Sequence, residues 1–341
     1  MRVIFFANSF KNTISNDQVL EVYGKFFKEN NFKIVPISDG GDGFLNLIRY
    51  VYPDSKIKYF LTLSPEEKKI KVKAIEHKDT LFLESARIIG FSRIKDIERS
   101  PEKRTSAGIG IILKKTYKKY KKIVIGIGGT TTFDLGCGIF EELNYKVKKF
   151  SKSNIPIKIE KDKKSISIDN LYGICDVRSS LDGPYGASFY LEQKGVEKKN
   201  IILYRKIFDR VAKEYKVSSK RYLGSGGGLG FAVKFLNGKL LDNFSYLEKI
   251  LKLKEMIKKN DLIVLNEGKF DNQTFNGKIN GEIVKLGIRF KKKIYFITAK
   301  VDLDDPYYEN YVNVIKLDKN PKDYKIEFEK KVKLLKEIIN G

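Results

Sequence analysis

The sequence predicts an α/β protein of two domains, one interrupting the other along the chain. Three observations carry that prediction. Strand-like and helix-like segments alternate near both ends, hairpin-like strands fill part of the middle, and glycine-rich turns follow several strands. At 341 residues and 42% apolar composition, the chain has the length of one to three domains and material for a sizeable core.

The elements follow in order. RVIFFAN reads as a buried first strand: its apolar run is short and lacks the small-residue cleavage site of a signal peptide. SNDQVLEVYGKFFKEN is helical, with Ser15 or Asn16 as its cap. FKIVPIS is a second strand, and a glycine-rich turn leads into the helix GFLNLIRYVY. This alternation marks a parallel, Rossmann- or flavodoxin-like sheet. From about residue 57 the pattern changes: KIKVKAIEHKDTLFLE alternates strictly and predicts a hairpin with His77 near its turn. KIVIGIGG into TTTFDLGCGIFEEL is another strand–turn–helix unit. DLIVLNEG and KIYFITA are strands flanking a helix around KINGEIVKLGI, and they are expected to rejoin the first sheet. The last helix, about 323–340, predicts an amphipathic cover. The expected division is 1–56 with 260–341 as a discontinuous α/β domain, and 57–259 as an inserted α/β domain, with a cleft between them.

Composition excludes several classes of function. No apolar run reaches the roughly eighteen residues of a membrane span. Two cysteines are too few for a disulfide framework, which predicts a cytoplasmic protein. The single histidine removes multi-histidine zinc sites and histidine triads, leaving acid–base work to carboxylates, lysines or tyrosines. The net charge of +25 invites a nucleic-acid reading. The basic residues, however, are 56 lysines against 11 arginines, spread through nearly every segment. Arginine's bidentate fork is what base and phosphate readers favour, so no specific nucleic-acid partner is expected.

Five turns could carry chemistry: Asn8–Lys11, Ser38–Gly43, Gly126–Asp134, Gly224–Gly230, and Asn266–Asp271 continuing to Lys278. Ligands of open α/β sheets bind beyond the carboxyl ends of strands. Glycines there let backbone N–H groups approach phosphate oxygens. Each turn alone is more often an ordinary tight turn; five together, each with a carboxylate, lysine or serine, point to a phosphate site. The Walker P-loop, the dinucleotide fingerprint and the protein-kinase signatures are all absent.

Taken in order, ANSFKNTIS, ISDGGDGF, TSAGIG, GIGGTTTFDLGCG, CDVRSSLDGPYGASFYLEQKG, GSGGGLG and NEGKFDNQTFNGK resemble the glycerate kinase family of the class II, bacterial type, nearly end to end. The resemblance implies ATP- and Mg²⁺-dependent phosphorylation of D-glycerate, with 2-phosphoglycerate the usual product. It also implies two α/β domains, one discontinuous, around the active site, and a monomer or homodimer. Six residues, in four of the blocks, depart from the family pattern. Asn8 stands where an aspartate is usual, Phe133 where an asparagine is, and Ser179–Ser180 where Asn-Pro is. Asn266 and Lys269 frame what is usually Gly-Glu-Gly-Arg. A kinase for another short hydroxy acid is the alternative these departures raise, and a non-catalytic polyanion binder on the same scaffold is a second.

Roles follow from what phosphoryl transfer needs: positioning, charge neutralisation and orientation of the acceptor hydroxyl. Asp176 or Asp39 is the expected acceptor base, with Lys11 a fixed positive charge. Ser9, Lys194, Glu267, Lys269 and Asp271 are expected at the substrate. Gly126, Gly128, Gly129, Thr130, Thr131, Gly226, Gly227 and Gly228 are expected to cradle phosphate, and Asp42 and Asp134 to bind metal. For any one aspartate in a glycine turn, the ordinary role is capping its own backbone.

Overall fold

The computed structural model describes residues 1–10, 13–94, 100–151, 153–175, 177–275, 277–303, 306–318 and 321–340. Lys11 and Asp176, two of the three residues expected to act in catalysis, lie outside the described residues.

The chain opens with β1 (Val3–Ala7), α1 (Asn16–Phe26), β2 (Phe32–Pro36) and α2 (Phe44–Val51). Next come β3 (Lys56–Leu63), β4 (Lys69–His77), β5 (Thr80–Glu84), α3 (Ser85–Ile89), α4 (Ala107–Thr116), β6 (Lys122–Ile127) and α5 (Cys137–Glu142). These are followed by β7 (Lys146–Lys149), β8 (Pro156–Glu160), β9 (Leu171–Cys175), α6 (Lys198–Glu214), α7 (Ser225–Phe235) and β10 (Lys239–Asp242). The chain closes with α8 (Asn243–Leu251), α9 (Leu253–Lys259), β11 (Leu262–Asp271), α10 (Ile279–Arg289), β12 (Lys293–Asp302), β13 (Val312–Lys316) and α11 (Tyr324–Asn340).

Two compact units result: Met1–Pro53 with Asn243–Gly341, and Asp54–Asp242. Residues 243–259, which the sequence pattern assigns to the inserted domain, form α8 and α9 and group with the first unit.

The first unit is a five-stranded parallel sheet in the order β13–β12–β11–β1–β2. Numbered along the chain, its strands run 2-1-3-4-5, the flavodoxin-like order, whose direction of winding reverses between β1 and β11. β1 is buried over its whole length, as befits a central parallel strand covered on both faces. The Ser15 side chain accepts from Gln18 N while the Gln18 side chain accepts from Ser15 N, a capping box that starts α1. α11 is an amphipathic cover, as its pattern predicts. Phe328, Val332 and Leu335 are buried, and the Phe328 ring meets Phe10 and Tyr23 edge-on at 5.2 and 5.4 Å.

The second unit is a six-stranded mixed sheet, β10–β9–β6–β5–β4–β3. β3, β4 and β5 are antiparallel neighbours, and β5, β6, β9 and β10 are parallel. His77 closes β4 opposite Thr80 at the hairpin turn, as its pattern predicts, with its ring largely covered and Nδ1 3.4 Å from Asp54. Both cysteines are buried thiols. Burial pushes the Cys137 thiol far above its ordinary pKa, so it is inert packing.

Candidate active site

In the first unit the expected residues gather at the carboxyl ends of β1, β2 and β11, the switch point where such sheets bind ligands. Asn16, fully buried, ties these ends together: Nδ2 donates to Ala7 O at 2.9 Å and Ile37 O at 3.3 Å, and Oδ1 accepts from Asn46. Asp42 Oδ2 accepts the Asn16 backbone N–H at 3.1 Å, at the positive end of α1. Ser38 Oγ spans the same turn to Gly41 O and Asp42 O. Asp39, within that turn, has a buried Oδ1 with no hydrogen-bond partner among the described residues.

Pairing between β1 and β11 ends at Phe6 and Leu265, yet β11 and β12 continue together to Asp271 and Asp302. Alternation along this overhang sets Glu267, Lys269 and Asp271 on one face. Glu267 is buried and meets Lys278 Nζ at 2.8 Å, Asn280 Nδ2 at 3.3 Å and Thr274 Oγ1 at 3.4 Å. Lys269 reaches Asp302 at 2.8 Å and Asp271 at 3.0 Å. Those two carboxylates raise the Lys269 pKa, and Lys269 in turn lowers that of Asp302. Ser9 N donates to Asn8 Oδ1 at 2.9 Å.

In the second unit the loop after β6 and the glycines opening α7 come together. Gly226, Gly227 and Gly228 have φ of 62°, 69° and 91°, three successive left-handed residues. A Cβ on Gly227 would lie 2.0 Å from Thr132 O, so only glycine fits. Gly227 O accepts from Leu135 N, and Ser225 Oγ donates to Val177 O beyond the end of β9. Gly228 N is spent on Gly224 O at 3.2 Å, so Gly226 and Gly227 are the candidates for backbone donation to an anion.

Several sequence expectations need correction here. Gly126 is inside β6, paired with Glu84 on one side and Ile174 on the other, so it is a sheet residue and not a loop donor. Gly128 is latched on both sides by Ser85 Oγ. Thr131 commits its N–H and hydroxyl to Ile89 O. Lys194 is buried, and its ammonium donates to Thr130 O and Thr130 Oγ1, which braces the loop after β6. Asp134, 2% exposed, accepts from Ser106 N, Ser106 Oγ, Gly136 N and Gly138 N. Its oxygens are filled by these donors at the start of α5, so it caps the helix, and burial raises its pKa. The unusual Phe133 is a core residue set edge-on to Tyr204 at 5.4 Å.

Other residues at these sites carry no signal in the motifs. Tyr23, pushed up in pKa by burial, donates its hydroxyl to Asn266 Oδ1 at 3.3 Å. Ser85 and Asn280 hold loops from elements far along the chain or outside the glycine turns. Only a three-dimensional neighbour reveals them.

Comparison with known proteins agrees with these motifs. The model of the glycerate kinase family matches residues 3–340. A glycerate kinase of Neisseria meningitidis serogroup B is 25% identical over 301 residues, covering 82% of this chain and 80% of that protein. A glycerate 2-kinase of Escherichia coli K12 is 26% identical over 330 residues, covering 89% and 86%. The fold is shared with a crystal structure of a candidate glycerate kinase 2 from Salmonella typhimurium LT2. The TM-score is 0.70 at 21% identity, over 99% of this chain and 97% of that one. Since the family match runs through both units and all seven sequence blocks, this chain belongs to the glycerate kinase family, enzymes that phosphorylate glycerate.

Proposed function

We propose that the protein transfers the γ-phosphoryl group of ATP, with Mg²⁺, to D-glycerate and yields 2-phosphoglycerate. The observation that carries the ATP assignment is the left-handed run Gly226–Gly228, whose backbone curvature suits phosphate oxygens. Ser9 after β1, the turn Ser38–Gly43 and the overhang of β11 supply what an anionic hydroxy acid needs, namely a hydroxyl, carboxylates for its hydroxyl groups and the Lys269 ammonium.

Mg²⁺ takes one or two carboxylates and completes its shell with water and phosphate oxygens. Among the described residues no group of three or more His, Cys, Asp or Glu forms a cage, so single carboxylates fit. Asp42, with Oδ2 on the Asn16 N–H, would hold the ion through its other oxygen. When bound, Mg²⁺ neutralises charge building up on the transferred phosphate.

The chain's own groups do the rest. Asp39, through its unpartnered Oδ1, orients the acceptor hydroxyl and takes its proton; Asp176, next after the last residue of β9, is the second candidate for that proton. Lys11, one residue beyond Phe10, adds fixed positive charge. Asp271 and Glu267 frame the substrate's hydroxyl side. A monomeric or homodimeric state belongs to the same proposal.

Initial rates with D-glycerate, ATP and Mg²⁺ test these roles. Asp39→Asn and Asp176→Asn are each compared with the native chain, after circular dichroism confirms folding. Removing a general base costs about 10²–10⁴ in kcat, so one of the two variants loses that much. Native rates from both would contradict the assignment.

A further inference from the structure

The parallel pairing of β1 with β11 stops at Phe6 and Leu265, but one more rung follows it, made by a side chain. Asn266 is fully buried. Its Nδ2 donates to Asn8 O at 2.6 Å and its Oδ1 accepts from Asn8 N at 3.2 Å. One carboxamide thus satisfies both backbone groups of Asn8, as a neighbouring strand would. The rung is itself braced: Tyr23 OH donates to Asn266 Oδ1 at 3.3 Å, and Asn280 Nδ2 donates to Asn266 O at 3.1 Å.

Held on both backbone groups, Asn8 turns its Oδ1 to the Ser9 N–H at 2.9 Å. Its Nδ2 is left without a partner among the described residues. That amide is a neutral donor at the switch point of the sheet, where ligands of such sheets bind. An NH₂ at this position can donate to an anionic acceptor, which the aspartate usual in the family cannot do.

We propose that Asn266 is a positioning residue that sets the Asn8–Ser9 turn, and that the Asn8 amide reads the carboxylate of the acceptor. The second half rests on the glycerate-phosphorylating reading above; the first half does not.

Two readouts separate them. Hydrogen exchange of the Asn8 amide tests the rung without substrate. Protection falls at least about tenfold in Asn266→Gly, and also in Asn266→Asp, which sets an oxygen against Asn8 O. Unchanged protection in both variants overturns the rung. Steady-state kinetics test the reading of the acceptor. Asn266→Gly raises KM for D-glycerate about tenfold, with kcat and KM for ATP within about twofold. In an Asn8→Ala background the same substitution adds less than about twofold. An undiminished effect in that background overturns the route through Asn8. If the native chain does not turn over glycerate at all, the acceptor reading falls with the proposed function, and the exchange experiment still decides the rung.

Discussion

Lys278 and Glu267 form a buried ion pair at 2.8 Å, joined by Asn280 and Thr274. Removing one member of such a pair strands a charge and costs about 3–5 kcal/mol. Lys278→Met therefore lowers unfolding free energy in urea by that order, and Lys278→Met with Glu267→Gln costs less than the single change. Asp134 makes a prediction of a different kind. Burial raises its pKa above the ordinary 3.8, so the folded state holds the proton more tightly than the unfolded state. Its contribution is complete below 3.8 and is lost as pH rises through the raised folded value. The stability of Asp134→Asn relative to the native chain therefore improves as pH is raised from the acid side, measured by urea unfolding across that range. At this scale the motifs locate loops but not partners. Lys194 and Asp134 both sit in glycine-rich blocks, and composition cannot tell a ligand-facing charge from one spent on Thr130 or Ser106.

On the proposed function, the glycine run opening α7 is the element on which nucleotide binding depends. Gly227→Ala adds a left-handed alanine, about 1–2 kcal/mol, to a Cβ 2.0 Å from Thr132 O. It is expected to lower stability by more than about 2 kcal/mol and to weaken ATP binding by calorimetry. Gly183 is the control: its φ is +81° but nothing lies within 4 Å of its Cβ. Gly183→Ala costs only the backbone strain and leaves ATP binding intact. Ser15→Ala, which removes one half of the capping box on α1, costs about 1 kcal/mol. Elements were largely legible because alternation and capping are local signals. The turn after β6 was legible only as a turn: the sequence marks Gly126–Asp134, and α5 starts at Cys137. The preceding residues are drawn into tertiary bonds, with Thr131 on Ile89 and a bridge between Gly90 and Thr130. Local propensity cannot foresee such bonds.

At the scale of the whole chain, the return of β11, β12 and β13 to the sheet of β1 follows from matching strand patterns, but the order of the strands does not. The 2-1-3-4-5 winding puts the reversal between β1 and β11, where the proposed function places the acceptor. It arises from packing between segments more than two hundred residues apart. The +25 charge acts at this scale too. Spread over lysines, it gives polyanion binding that is lost by about 0.15 M salt, checked by titrating a DNA oligomer across ionic strengths.

ADP release from ATP and Mg²⁺ with D-glycerate, set against L-glycerate, other short hydroxy acids and no acceptor, tests the central claim most directly, with the product's phosphate position read by phosphorus NMR. The account predicts turnover that depends on D-glycerate and a phosphate on the 2-hydroxyl. Folded protein that binds ATP but stays silent with D-glycerate, or turns over another hydroxy acid in its place, would contradict it.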